Sequence, residues 1–228
     1  MKKKLLALGS ALMLLTSTAK ADAGDMSYGL QAGGSLAFPA VGETTIGGAK
    51  HKESFLNLFV AGGLFFKYEV IDMMTAGIKI GYNRIGLNLE KEGSTEAKDA
   101  YSLRIHTLNA AIPVAFLPMG REGGLEIFLG PKVYFPLMSS ESKPGSTDSK
   151  NPEDSVVTGF NIGATVGTRY EILESGFSVG ANYDFFFGSM FGKEAKNKSI
   201  DGLEADKTYF SQGVELTLGY DFSRLMEE

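Results

Sequence analysis

The sequence predicts an all-β fold: one eight-stranded antiparallel barrel of up-and-down topology that crosses a membrane. Three observations point there. Apolar and less apolar residues alternate with period two along most of the chain. Short and long connections alternate between those segments. The less apolar side of each segment is too poor in Lys, Glu and Ser for a solvated surface.

Composition sets the outer bounds. The chain has 228 residues, enough for one large domain or two small ones. A hydrophobic content of 43% excludes a disordered chain and also a helical membrane bundle. Its 29 Gly suit crowded strands better than helices, where each costs on the order of 1 kcal/mol against Ala. No Cys is present, which excludes a disulfide framework, a thiolate zinc site and a cysteine nucleophile. The net charge of −5 leaves no basic footprint for nucleic acid, and none is expected as a partner.

The elements follow in chain order. Residues 1–21 read as a secretory signal peptide. MKKK is its cationic start, Leu5 to Leu15 its apolar run, and Ala19-Lys20-Ala21 a small-x-small cleavage site. Ala21-Asp22-Ala23 is a second possible site. The apolar run is far below the roughly 20 residues of a spanning helix. Residues 22–222 are expected to form the barrel, and 223–228 a short tail.

Strand one is carried by Tyr28, Leu30, Ala32, Leu36 and Phe38. Strand two has Leu56, Leu58, Val60, Leu64, Phe66, Tyr68 and Val70 on one side, with Asn57, Ala61, Gly63, Lys67 and Glu69 on the other. Lys67 therefore does not interrupt an apolar span; it points the opposite way. Strand three sets Met74, Ala76, Ile78, Ile80 and Tyr82 against Thr75, Gly77, Lys79, Gly81 and Asn83. Strand four runs from Leu108 to Phe116 and strand five from Leu125 to Leu137. Strands six, seven and eight run from Phe160 to Ile172, Phe177 to Phe187 and Phe210 to Phe222. Each reaches the roughly 9–11 residues of a tilted membrane strand.

Three connections are short, around Ile71-Asp72, Met119 to Gly123 and Glu174-Ser175. Four are long and polar: 39–54, 90–100, 139–155 and 189–207. Outer-membrane barrels segregate their turns and loops in this way. With both chain ends in the periplasm, all four long loops face outward and could receive an extracellular ligand.

The second face decides between a membrane barrel and a soluble one. On strand six it reads Gly159, Asn161, Gly163, Thr165, Gly167, Arg169 and Glu171. On strand seven it reads Gly180, Asn182, Asp184, Phe186 and Gly188. Small residues, a few large aromatics and scattered charges fill a narrow lumen; eight strands leave room for little more.

Four stretches carry a resemblance: GIKIGYNRIG (77–86), LNAAIPVAF (108–116), GLEIFLGPKVYF (124–135) and VELTLGYDF (214–222). Through them the chain resembles the small porin-like outer-membrane β-barrel proteins common in Bacteroidota. In architecture it is similar to the OmpX and OmpA barrels. The resemblance implies residence in the bacterial outer membrane, contact with its lipid, and insertion by the barrel-assembly machinery. It implies no reaction. The chain departs from such barrels at its end, where Phe222 is followed by Ser-Arg-Leu-Met-Glu-Glu.

The candidate site is the set of inward charges: Lys67, Glu69, Lys79, Glu126, Lys132, Arg169, Glu171, Asp184 and Glu215. Both signs occur in similar number, and buried charge must be paired. The expectation is a lumen plugged by salt bridges in a non-enzymatic protein, structural or surface-interacting through its loops. The alternative is a narrow porin passing small ions or solutes.

A second alternative is an envelope lipid-modifying enzyme, suggested by His106. Some lipid-A deacylases carry His-x-Ser-Asn-Ala; here the stretch is His106-Thr107-Leu108-Asn109-Ala110, with leucine where the nucleophile should stand. Arg104 lies beside it in the same stretch. His51 is the only other histidine, so no multi-histidine metal site is expected, and no cofactor. Gly159, Gly163 and Gly167 imitate a helix-dimerisation motif, but on a strand they share one face and thin the lumen for Phe128, Tyr134 or Phe186. Asn197-Lys198-Ser199 is a formal glycosylation acceptor in a loop. Glu141 to Ser155 reads as a solvated, turn-rich loop.

Overall fold

The computed structural model describes residues 26–37, 44–46, 48–53, 58–71, 73–94, 96, 99–120, 123–145, 159–172, 175–189 and 210–223. The signal segment 1–21, the Asn197-Lys198-Ser199 stretch and much of the four long loops lie outside them.

Among the described residues eleven strands form one sheet. They are β1 (Met26–Ala37), β2 (Thr44–Ile46), β3 (Ala49–Glu53), β4 (Leu58–Ile71), β5 (Met74–Lys91) and β6 (Tyr101–Ala111). There follow β7 (Val114–Phe116), β8 (Leu125–Ser142), β9 (Asn161–Glu171), β10 (Phe177–Ser189) and β11 (Phe210–Asp221). The circuit β1-β4-β5-β6-β8-β9-β10-β11 is antiparallel throughout and closes on itself. The closing seam runs from Gly29↔Asp221 to Ala37↔Gly213. This is an all-β, eight-stranded closed barrel. Closure pairs the backbone groups that lipid cannot satisfy and leaves no open edge.

The expected fourth strand is split. Pro113 has no N–H to donate, so the ladder stops at Ala111 and resumes as β7. The break is patched by Ile112 N donating to Pro131 O at 3.1 Å and Gly77 N donating to Pro113 O at 2.9 Å. Parity survives it: Ile112, Val114 and Phe116 all remain exposed on the outer wall.

Alternation sorts the side chains as expected. Leu216 and Leu218 are 59% and 67% exposed, while Glu215 between Val214 and Leu216 is 5% exposed. Large apolar residues stay exposed on the outward parity of β4, β8, β9 and β10 too. A soluble barrel would hide that face; a continuous exposed apolar band fits lipid. Aromatic rings bound the band at both ends. At the tight-turn end Phe177, Tyr220, Phe222 and Tyr28 form a chain of ring contacts with centroids 4.8, 5.5 and 6.3 Å apart. At the other end Phe135 stacks with Phe160 at 6.5 Å, and Phe185 meets Phe187 at 5.3 Å.

The loop end is more ordered than the sequence suggests. Within 39–54, β2 and β3 form a hairpin whose two-residue turn uses Gly48 at φ +79°, a conformation that suits glycine. β3 then pairs with β5 through His51↔Lys91 and Glu53↔Leu89. β5 and β8 each have 18 residues, so the expected loop boundaries at 90 and 139 move out to 92 and 143. One side of the barrel is thus raised beyond the band. There the inward parity turns apolar: Leu87, Leu89, Tyr101, Leu103 and Ile105 are fully buried. Once a sheet leaves the membrane, apolar burial on its inner face stabilises it as in a soluble protein.

Candidate functional site: the charged lumen

The inward parity of β4, β8, β9, β10 and β11 delivers charge to the bore because each charged residue sits between two lipid-facing ones. Two clusters result. In the first, Glu126 Oε1 accepts from Lys67 Nζ at 2.6 Å and from Arg169 Nη2 at 3.0 Å. Glu126 and Arg169 are direct cross-strand partners, but Lys67 reaches across the bore from β4. The Phe65 ring lies under both cations, 4.6 Å from the Arg169 guanidinium and 5.6 Å from Lys67 Nζ.

In the second, Lys132 Nζ donates to Asp184 Oδ2 at 2.6 Å and stands 3.7 Å from Glu215 Oε2. Tyr134 OH donates to the same Asp184 oxygen at 2.8 Å, and Asn182 Nδ2 donates to Oδ1 at 3.2 Å. Lys79 is half-buried between the clusters, its Nζ 3.9 Å from the centroid of Phe128. Glu69 and Glu171 are half-buried close to the tight-turn ends of β4 and β9.

Glycines make these reaches possible. Opposite Lys132 on β9 stands Gly163, and a Cβ there would meet Phe185 O at 2.1 Å and the Phe186 ring at 3.0 Å. Opposite Phe128 stands Gly167, where a Cβ would meet the Phe128 ring at 2.7 Å. Gly159 is different: a Cβ there would meet nothing within 4 Å. Tyr134 packs edge-on against Phe186 with centroids 4.0 Å apart.

A reading by charge alone omits the neutral members: the Tyr134 hydroxyl, Asn182, Phe65, and the Ser35 Oγ that donates to Asn83 Oδ1 at 3.1 Å. The signal that finds them is parity, since each shares the inward side with one of the nine charges on its strand or a neighbour. Among the described residues, a small void of about 20 Å³ lies beside Lys79, Lys132 and Glu215, and another of about 10 Å³ beside Asn83, Tyr134 and Asp184.

Among the described residues neither histidine builds a catalytic pair with a serine or threonine. His51 is buried and bonded to Ala49 O and Asp99 O, and His106 Nδ1 is bonded to the Tyr82 hydroxyl. Leu108 faces outward. Among the described residues no three His, Asp or Glu side chains come together to hold a metal.

A closed barrel with a lipid-facing wall and a charged bore defines a class, the small β-barrels of the bacterial outer membrane. The chain belongs to the family described as outer membrane protein beta-barrel domain, whose match spans residues 26–192.

Solved structures similar to this chain include neisserial surface protein A, 11% identical with a TM-score of 0.46 over 86% of this chain and 96% of that one. Another is Ail, the attachment invasion locus protein of Yersinia pestis, in complex with the heparin analogue sucrose octasulfate. It is 13% identical, with a TM-score of 0.42 over 87% of this chain and 99% of that one. OprG from Pseudomonas aeruginosa is 13% identical, with a TM-score of 0.42 over 87% of this chain and 96% of that one. No curated protein matches the chain in sequence.

Proposed function

We propose that the protein is a closed-lumen platform: a barrel that does not conduct and that presents its loop end for interaction at the cell surface. One observation carries the reading. Lys67 reaches across the bore to Glu126, Lys132 passes over β9 to Asp184 and stands close to Glu215, and voids beside these pairs are each the size of about one water. The nine charges named from the sequence act, on this reading, as the plug. The raised wall of β3, β5, β6 and β8 supports the second half, because rigid strands carry the flanks of 39–54, 90–100 and 139–155 toward one end. With the tight turns in the periplasm, those segments and 189–207 face outward. The barrel-assembly machinery would engage β11, where Phe222 closes the aromatic row ahead of the tail.

The test is conductance. Full-length protein, shown folded by its gel shift on boiling, is inserted into planar bilayers. Absence of unitary steps is expected. Reproducible steps that respond to Lys132→Gln would overturn the plug and make the protein a narrow porin. Lipid A incubated with the same preparation should keep its mass; loss of an acyl chain would make the protein a lipid-modifying enzyme instead.

A further inference from the structure

The outer wall is almost without charge. On the outward parity of β1, β4, β9, β10 and β11 the sequence places no Asp, Glu, Lys, Arg or His. One patch on β5 and β6 breaks this rule: Arg84, Arg104 and His106. Their parity is outward, because Asn83, Leu87, Ile105 and Thr107 around them are inward and buried or nearly so.

The register brings the three together. Arg84 is the direct cross-strand partner of His106, and Gly86, with no side chain, stands opposite Arg104. Diagonal neighbours on an antiparallel pair lie about 7–8 Å apart, within reach of two guanidinium groups converging on one anion. Both arginines act electrostatically on the His106 ring. The Tyr82 hydroxyl holds that ring through Nδ1, and the two rings are 5.9 Å apart. Arg104 itself is exposed.

The surroundings are apolar on two sides. Toward the membrane centre the same two strands show Ile80, Leu108 and Ala110. On β8 a bulge opposite His106 and Thr107 turns Leu137 and Met138 outward, 55% and 63% exposed. The nearest outward acid on β5 is Glu90, beyond Arg84 by three outward positions, and it faces Lys52 on β3. The patch is therefore a cationic step at the loop-end margin of a lipid-facing surface.

We infer that Arg84, Arg104 and His106 form a binding site for the phosphate of an acylated lipid in the outer leaflet, its chains lying on Leu108, Leu137 and Met138. Guanidinium groups bind phosphate through charge-assisted, often bidentate hydrogen bonds. Acyl chains lose water against the neighbouring aliphatic side chains. A free anion would gain the first interaction without the second. The inference uses only the outer wall and holds whether or not the lumen conducts.

The test uses full-length folded protein in detergent, with diphosphoryl lipid A as the probe and native mass spectrometry as the readout. Retention of the lipid adduct is expected. Dephosphorylated lipid A should bind about tenfold more weakly, as should diphosphoryl lipid A to Arg104→Gln. The double variant Arg84→Gln with Arg104→Gln should lose the adduct. Inorganic phosphate in equal concentration should leave it in place. Equal binding of the two lipids, or equal binding by Arg104→Gln, would overturn the site. Displacement by inorganic phosphate would overturn the lipid as its ligand. Arg104 is exposed, so its single substitution carries the test even where the double variant folds poorly; the gel shift on boiling verifies folding in each case.

Discussion

Lys132 and Asp184 meet at 2.6 Å although a whole strand separates them. Lys132 leaves β8, passes over β9 at Gly163 and reaches β10. Both side chains are buried, so the pair is stabilising relative to either partner alone and costly to leave half-made.

Lys132→Gln should therefore destabilise the barrel by about 3–5 kcal/mol, because it leaves Asp184 and Glu215 facing each other without a cation. Asp184→Asn should cost less, since Lys132 keeps Glu215 at 3.7 Å. Urea unfolding in detergent, followed by loss of the boiling-sensitive gel band, ranks the two. The reverse order would mean that the hydrogen bonds Asp184 accepts from Tyr134 and Asn182 outweigh its pairing with Lys132.

Gly163→Val tests the path between them. Its Cβ would sit 2.1 Å from a backbone carbonyl, which a rotamer change cannot relieve. Overpacking of this kind costs about 1–3 kcal/mol, and more where strands must move. The same substitution at Gly159, where space is open, should change the unfolding midpoint little.

Depth gives a third prediction. Leu216 is midway between Gln212 and Tyr220 on β11 and faces outward. Leu216→Arg should cost about 2–4 kcal/mol in lipid, the cost of a cation near the midplane. Folding yield into vesicles measures it; an unchanged yield would mean that this wall does not face lipid.

His51 joins two connections, bonding to Ala49 O in the hairpin and to Asp99 O beyond β5. His51→Ala should loosen the loop end without opening the barrel. Limited proteolysis should cut faster within 39–54 and 92–100, while the gel band stays boiling-sensitive. Loss of that band would show that the hairpin is needed for closure.

Much of this fold was legible because parity is a local property. Lys67 declares its side of the wall through Phe66 and Tyr68, with no knowledge of its partner. The same parity marks Val166 as outward and Arg169 as inward. Three features escaped. The stop at Pro113 and the docking of β3 on β5 depend on which strand lies alongside. The apolar inner surface of Leu87, Leu89, Leu103 and Ile105 depends on where the membrane ends along β5 and β6.

The strands, their two faces and the grouping of turns and loops are written along the chain, as a period-two pattern and its interruptions. The partners are fixed only when the barrel closes. Alternation is unchanged when a strand slides by two residues, so it cannot say whether Lys132 meets Asp184 or another carboxylate. Register, set by closing all eight strands at once, brings Lys67 and Arg169 to Glu126 inside and Arg84 to His106 outside.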